Sequence, residues 1–280
     1  MRWRRIRQST NVEDRRGGGV GRGVKLGGGI GTLLLVLLGL FLGQDVTQML
    51  GGSMSGQDSG YSQNQADPND ENVQFVSAIL ASTEDVWDQQ FAVRQGQYRK
   101  PKLVLFSSQV NSACGFASAA AGPFYCPGDD QVYIDLSFFR ELERMGGVGD
   151  FARAYVIAHE IGHHVQNQLG ISMAVQNARS RVSEAQGNAL SVKAELQADC
   201  YAGVWAHHAH KQSYLLEEGD IEEGLNTAAA IGDDKMMKRA GQWVRPDSFT
   251  HGSSEQRAEW FLTGLKSGKM ESCDTLPMQQ

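Results

Sequence analysis

The sequence lacks an overall positive charge, any internal repeat and any Cys-x-x-Cys motif. Its 26 lysines and arginines are outnumbered by 32 aspartates and glutamates, so the formal net charge is -6 and the pI is about 5.7. This balance provides no general basic surface for nucleic acid, and no nucleic-acid partner is expected. Because the four cysteines do not form a Cys-x-x-Cys motif, a zinc site built from cysteines is also disfavoured.

Positive charge is instead concentrated at the start of the chain. Residues 1–25 contain eight arginines and lysines against two acidic residues, and the following residues 26–44 are uncharged and mostly apolar. An apolar run of about 18–20 residues is long enough to cross a bilayer as a helix. Since basic flanking residues stay on the cytoplasmic side, we predict a basic cytoplasmic segment over 1–25 and a transmembrane signal anchor over 26–44.

The two alternatives to an anchor are a buried core helix and a cleaved signal peptide. A core helix is disfavoured because the run is apolar on all faces and follows a basic, Gly-rich leader. A cleaved signal peptide is disfavoured because residues 44–48 show no small-x-small cleavage site. The predicted location is therefore the inner membrane, contacted through a single-pass helix, with the N-terminus in the cytoplasm and the remainder in the periplasm.

The rest of the chain divides by composition into a linker, one domain and a short tail. Residues 45–70 are rich in Gly, Ser, Gln, Asn and Asp, which predicts a flexible linker, and globular patterning extends over 71–273, before a tail over 274–280. Strand patterns at 102–106 and 131–136 follow one predicted helix, and further helices come after them. The predicted helices cover 73–93, 139–145, 149–168, 180–210, 219–231 and 254–266. This order predicts an α+β fold with a small sheet and a mostly helical second half.

One predicted helix carries a metal-binding motif, His159-Glu160-Ile161-Gly162-His163. Because the two histidines stand four residues apart, a helix places both imidazoles on one face, where they can share one ion. Two imidazoles, a carboxylate and one open position are typical of a catalytic zinc site, so one zinc ion is expected. Glu160 lies next to the first histidine, where its carboxylate can act as a general base.

A third ligand is expected from another helix. The metzincin motif does not continue here, because Gln166 and Leu169 occupy the positions of its glycine and third histidine. Glu195 lies on a long predicted helix with Asp199 one turn later, so we predict Glu195 as the third ligand and Asp199 as the acceptor of an imidazole N–H. The alternative is that both carboxylates are solvated surface groups.

These motifs together resemble known metallopeptidases. The pattern His-Glu-x-x-His followed by Glu-x-x-Ala-Asp is similar to the gluzincins, and the stretch from about 71 to 273 resembles the neutral zinc metallopeptidase family of bacteria, which has a basic N-terminus and one membrane anchor. The segments that carry this resemblance are 159–166, 195–203 and 250–257. The resemblance implies a gluzincin-like fold, with zinc held by His159, His163 and Glu195 and with Glu160 as general base.

The last of these segments resembles the Thr-His-Pro-x-x-x-x-Arg element of related membrane peptidases. Gly252 stands at the position of the proline, while His251 and Arg257 keep their positions. His251 is therefore predicted to face the metal and to donate a hydrogen bond to the oxyanion of the tetrahedral intermediate. The alternative is a histidine that caps a helix or fills the core.

The predicted activity is hydrolysis of a protein or peptide by zinc-activated water, with Glu160 transferring the proton. An extended substrate is expected to pair with the strand at 132–136, if that strand lies at the edge of the cleft. Two alternatives stay open: a zinc hydrolase that acts on a non-protein amide of the cell envelope, and a catalytically silent zinc-binding scaffold. The sequence identifies no regulatory partner.

The four cysteines are expected to form two disulfides, because the predicted location is oxidising. Cys114 and Cys126 flank a Gly/Ala/Ser-rich loop, so their local pairing needs little loss of chain entropy. Cys200 and Cys273 then form the second pair. The alternative is that Cys200 and Cys273 are both free thiols, buried as small apolar groups.

Overall fold

The fold is a mixed α+β arrangement in which helices predominate and the sheet is small. The computed structural model describes residues 1–16, 67, 69–118 and 122–276. Its strands are β1 Val12–Asp14, β2 Lys102–Phe106, β3 Gln109–Ser112, β4 Gly115–Ser118, β5 Phe124–Cys126 and β6 Gln131–Asp135. Its α-helices are α1 Glu71–Val93, α2 Ser137–Arg144, α3 Asp150–Gln168, α4 Ile171–Arg179, α5 Glu184–Ser213, α6 Asp220–Ala230, α7 Asp233–Arg239 and α8 Ser254–Ser267. Short 3₁₀ turns cover Trp3–Arg5, Pro246–Ser248 and Met270–Cys273.

The main sheet has the strand order β1-β2-β6-β5, in which only β5 runs antiparallel to its neighbour. Alternate side chains of the central strands face two apolar clusters. Leu103 and Val132 belong to the larger core beneath the helices, whereas Val104 and Tyr133 pack on the other face with the β3–β4 hairpin. Burial on both faces explains why β2 is an almost continuous apolar run.

The position of β6 corrects one prediction from the sequence. The strand at 132–136 was expected to pair with substrate at the edge of the cleft, but β6 lies between β2 and β5 and is hydrogen-bonded on both sides. Its backbone groups are therefore already used by neighbouring strands. Strand β5 is the outer strand at that end of the described sheet.

The first sixteen residues differ from the predicted separate cytoplasmic segment, because they pack on the domain. Strand β1 pairs in parallel with β2, and the Trp3 side chain is 3% exposed and contacts Phe75 edge-on, with ring centroids 5.4 Å apart. Glu84, which is buried on α1, accepts hydrogen bonds from the Ser9 hydroxyl at 2.6 Å and from Arg7 at 2.9 Å. These residues therefore belong to the same folded unit as the helices.

This packing bears on the predicted topology. A chain that crossed the membrane once between residues 16 and 67 would leave β1 and β2 on opposite sides of the bilayer, so their pairing does not fit a cytoplasmic N-terminus with a periplasmic domain. The predicted anchor over 26–44 and most of the predicted linker lie outside the described residues. Within the described ranges, no helix is long and apolar enough to span a membrane.

The helices that follow the sheet build the larger core. Phe151 of α3 stacks on Trp205 of α5, and Tyr155 meets Phe261 of α8 edge-on, with centroids 6.0 and 5.3 Å apart, respectively. The predicted tail from 274 also begins within this structure, because Leu276 is 8% exposed and packs near Val175 of α4. The helices α4 and α7 and the strands β1, β3, β4 and β5 were not predicted.

Both predicted disulfides are confirmed, with Cys114 bonded to Cys126 and Cys200 bonded to Cys273. The first joins the turn before β4 to the end of the edge strand β5. The second joins the buried middle of α5 to the last 3₁₀ turn. The second disulfide thus attaches the C-terminal segment to the helix that carries Glu195.

Candidate metal centre

The three predicted metal ligands meet in the core between α3 and α5. The Nε2 atom of His159 lies 3.2 Å from Oε2 of Glu195, and Nε2 of His163 lies 3.4 Å from Oε1 of the same carboxylate. The ligand atoms of all three residues lie within 4.8 Å of one another. The tertiary structure thus brings the two histidines of α3 to the Glu195 carboxylate of α5.

The donor set and its spacing fit a zinc ion. Bonds of about 2.0–2.2 Å to nitrogen and oxygen in a tetrahedron require neighbouring ligand atoms about 3.3–3.6 Å apart. The Glu195 carboxylate approaches each imidazole at nearly this separation. Two imidazoles and one carboxylate leave a fourth position for water or substrate, which is the composition of a catalytic rather than a structural zinc site.

Asp199 orients His159 for metal binding from inside the protein. Its Oδ1 atom lies 2.7 Å from Nδ1 of His159, so the Nδ1–H donates to the carboxylate and Nε2 is left free for a metal. Arg257 donates to the same carboxylate, from Nε to Oδ2 at 2.8 Å and from Nη2 to Oδ1 at 3.0 Å, and the Tyr155 hydroxyl donates to Oδ1. This arrangement explains how Asp199 can be completely buried.

His163 is oriented in the same way by an amide. Its Nδ1–H donates to Oε1 of Gln166 at 2.9 Å. The Gln166 amide nitrogen in turn donates to the Ala194 carbonyl at 2.7 Å and to Oε1 of Gln197 at 3.0 Å, both on α5. Both histidines thus present Nε2 to the same point, and the partners that fix them also connect α3 to α5.

Similarity to known proteins identifies the family to which this chain belongs. The family profile described as "putative neutral zinc metallopeptidase" matches residues 1–276. The chain belongs to that family. The resemblance inferred from the sequence motifs is therefore confirmed, and the match includes the N-terminal residues that pack on the domain.

Two bacterial relatives can be aligned with most of the chain. The Escherichia coli K12 protein YpfJ is 46% identical over 285 residues, covering 98% of both chains. The Mycobacterium bovis protein Mb2605 is 43% identical over 213 residues, covering 72% of this chain and 71% of the relative. Both carry the description "uncharacterized protein", and no solved structure matches the chain.

The charges of this zinc-peptidase family member are held in pairs at the centre. Burial raises the pKa of Glu195, but the neighbouring His163 and His159 lower it more, and the net pKa is well below the usual range for a glutamate. Burial likewise raises the pKa of Asp199, while Arg257 and His159 lower it to about 2. Both carboxylates are therefore ionised at neutral pH, as metal binding and N–H acceptance require.

Glu160 lies beside the ligands but is not one of them. It is buried, with 8% of its surface exposed, and it follows His159 directly on α3. Its charge is one of the influences that raise the pKa of His163, although burial of that imidazole opposes the rise. Glu160 is therefore a buried carboxylate whose charge acts on one of the candidate ligands.

His251 is not part of the candidate ligand group. It precedes α8, and its imidazole is hydrogen-bonded through Nδ1 to the Thr250 hydroxyl at 3.0 Å and to Oδ1 of Asp233 at 3.2 Å. Burial lowers the pKa of His251, but Asp233 and then Glu195 raise it, with a net increase. The charge of Glu195 thus acts on the His251 imidazole.

Several residues that support the centre were not predicted from the sequence. Gln166 stands one turn after His163 and Tyr155 one turn before His159, so helical spacing contained a signal for both. Arg257 lies in the 250–257 segment that carries the family resemblance, but its contact with Asp199 was not predicted. Asp233 had no signal, because its contacts depend on a helix that the sequence pattern did not predict.

Proposed function

We propose that this protein is a zinc-dependent peptidase that uses one zinc ion and Glu160 as the general base. The observation that carries the proposal is the group formed by buried His159, partly exposed His163 and buried Glu195, with a second buried carboxylate, Glu160, that is not needed as a ligand. A purely structural zinc site normally fills its fourth position with cysteine or histidine and has no use for this extra carboxylate.

Each side chain at the centre has a separate role in the proposed hydrolysis. When bound, zinc supplies Lewis acidity that polarises the scissile carbonyl and lowers the pKa of water. Glu160 accepts a proton from the attacking water and later delivers it to the leaving amine. His251 donates a hydrogen bond to the oxyanion that forms on the carbonyl. Asp199 and Gln166 keep both ligand imidazoles in the tautomer that binds metal through Nε2.

The edge strand β5 is the proposed binding strand for an extended peptide. It lies against α3, where the Tyr125 hydroxyl is 3.2 Å from Nδ1 of His164 and 3.0 Å from the Asn167 amide. His164 directly follows the ligand His163, which supports a short distance between this strand and the metal centre. A peptide added to a sheet edge gains main-chain hydrogen bonds independently of its sequence.

For location, we propose that the whole described unit lies outside the cytoplasm at the inner membrane, with residues 1–16 on the same side as the helices. Two disulfides support an oxidising compartment. The pairing of β1 with β2 supports a common side for the N-terminal residues and the domain. A transmembrane anchor over 26–44 is not part of this proposal, because a single crossing there would separate β1 from β2.

The activity is tested with Glu160→Gln, which preserves shape but removes the base. We expect the variant to keep its zinc and to lose casein or peptide-library cleavage by at least about a hundredfold. Glu143→Gln, the same change at an exposed position on α2, is the matched control and is expected to be fully active. If neither wild type nor variant cleaves peptides, the hydrolase of a non-protein amide or the silent scaffold is favoured instead.

A further inference from the structure

Asp233 accepts several hydrogen bonds from the segment that carries His251. This carboxylate, at the first residue of α7, is 5% exposed. Its Oδ2 atom accepts three consecutive backbone N–H groups: Thr250 at 2.8 Å, His251 at 2.7 Å and Gly252 at 3.1 Å. The backbone N–H of Asp233 donates in return to the Gly252 carbonyl at 2.9 Å. One side chain thus determines the path of the turn before α8.

The other carboxylate oxygen acts on the imidazole itself. Oδ1 of Asp233 lies 3.2 Å from Nδ1 of His251, and the Thr250 hydroxyl lies 3.0 Å from the same nitrogen. When the imidazole is protonated, its Nδ1–H donates to this carboxylate and its Nε2–H is left as the donor at the free end of the ring. Asp233 therefore determines both the backbone position of His251 and the nitrogen that it can offer to a substrate.

Gly252 is suited to this arrangement in a way that proline is not. Its φ is +96°, a conformation that proline cannot adopt, and its N–H is one of the three donors to Asp233. A Cβ atom at this position would lie 3.2 Å from Leu196 and 3.3 Å from Val192, both on the helix that carries Glu195. The turn is therefore packed directly against the ligand helix.

We propose that Asp233 is a positioning residue that holds His251 on the turn packed against the helix of Glu195, with its Nε2–H offered to the oxyanion. The inference rests on the proposed peptidase function and adds to it a residue from α7. A purely structural role would also need the backbone hydrogen bonds, but it would not need the contact between Oδ1 and Nδ1.

The first test is a double-mutant cycle on the zinc-loaded enzyme. We expect Asp233→Asn to lower kcat by about tenfold or more and His251→Ala by about a hundredfold, with zinc content unchanged. Because Asp233 acts through His251, adding Asp233→Asn to the His251→Ala protein is expected to cause no further loss. Multiplying losses in the double variant would overturn the inference.

Asp234→Asn is the matched control. Asp234 is the next residue, and it accepts hydrogen bonds from the same segment, from the N–H and hydroxyl of Ser254 at 2.7 Å each. Because these contacts do not involve His251, Asp234→Asn is expected to change kcat by less than twofold. A kcat loss in this variant equal to that of Asp233→Asn would indicate a structural effect and overturn the inference.

A spectroscopic test works without any activity. In ¹⁵N NMR spectra of imidazole-labelled protein, we expect the doubly protonated His251 ring to persist to higher pH in the wild type than in Asp233→Asn, because a neutral amide does not stabilise the cation. The same titration midpoint in both proteins would contradict the inference. Since this readout needs no substrate, it remains decisive even if the protein cleaves no peptide and the proposed function fails.

Discussion

Gly162 of α3 lies directly against the backbone of Ala198 on α5. A Cβ atom added to the glycine would stand 2.9 Å from the Ala198 carbonyl oxygen and 3.1 Å from its Cα atom. Gly162 precedes the ligand His163, and Ala198 precedes Asp199, so this backbone contact sets the separation between the two halves of the metal centre. Such an approach is possible only where one helix has no side chain.

We therefore expect Gly162→Ala to move α3 away from α5 and to weaken zinc binding by at least about tenfold, the scale of changes that misplace a ligand's supporting shell. Zinc titration by calorimetry measures the effect. Gly187→Ala on α5 is the control, because its nearest neighbour would be 3.8 Å from the new Cβ atom. That change is expected to preserve zinc affinity and to stabilise the helix by about 0.5–1 kcal/mol. Equal zinc affinity in the two variants would contradict the packing argument.

Glu195 is expected to be indispensable for the metal. Glu195→Ala leaves only two imidazoles, fewer than the three protein ligands usual for catalytic zinc, so most of the zinc should be lost on dialysis. Asp199→Asn should be milder, about a ten- to hundredfold loss of affinity, because the imidazole partner is altered and not removed. Elemental analysis of the purified variants decides the assignment. A full complement of zinc in Glu195→Ala protein would exclude Glu195 as a ligand.

Trp3 offers a measure of how much the N-terminal segment contributes to folding. Its side chain is 3% exposed, and removal of a buried tryptophan side chain typically costs about 3–5 kcal/mol. We expect Trp3→Ala to lower the free energy of unfolding by about this amount in urea denaturation. Trp243→Ala is the matched control, because Trp243 is 92% exposed, and should change stability by less than about 0.5 kcal/mol. Equal stability of the two variants would mean that residues 1–16 are not part of the cooperative unit.

The membrane topology can be tested with single cysteines at two exposed positions, Gln8 and Glu143. If residues 1–16 pack on the domain in cells, Gln8→Cys and Glu143→Cys should have the same reactivity towards a membrane-impermeant maleimide in intact spheroplasts. The proposed location predicts that both react. Labelling of Glu143→Cys alone would restore the single-pass topology predicted from the charge distribution and would show that β1 does not join the sheet there.

The two disulfides are expected to contribute differently to activity and stability. Cys114–Cys126 ends the proposed substrate strand β5 and closes a loop with a sequence separation of 12, so replacing both residues by serine should raise KM while zinc is retained. Cys200–Cys273 spans 73 residues, and its removal should cost about 4 kcal/mol of stability in the chain-entropy model. Steady-state kinetics and chemical denaturation separate the two effects. Zinc loss that accompanies removal of Cys114–Cys126 would argue against a role confined to the substrate strand.

Local patterns in the sequence predicted much of this protein because they depend on neighbours along the chain. The spacing of His159 and His163 places both on one helical face wherever that helix lies. The apolar runs that became β2 and β6 likewise predicted short strands. Glu195 and Asp199, one turn apart on α5, could be selected because a two-histidine site needs a carboxylate and a helix presents residues four apart together.

Tertiary structure decided the features that depend on which elements meet. No local signal showed that β1 pairs with β2, because the pairing of distant strands leaves no periodicity in either strand. The charge of residues 1–25 instead predicted a separate segment. For the same reason the sequence did not show that β6 is central. The contacts of Arg257 with Asp199 and of Asp233 with His251 are also long-range hydrogen bonds. They exist because packing brings α8 to α5 and α7 to the turn before α8, where buried charges must find partners.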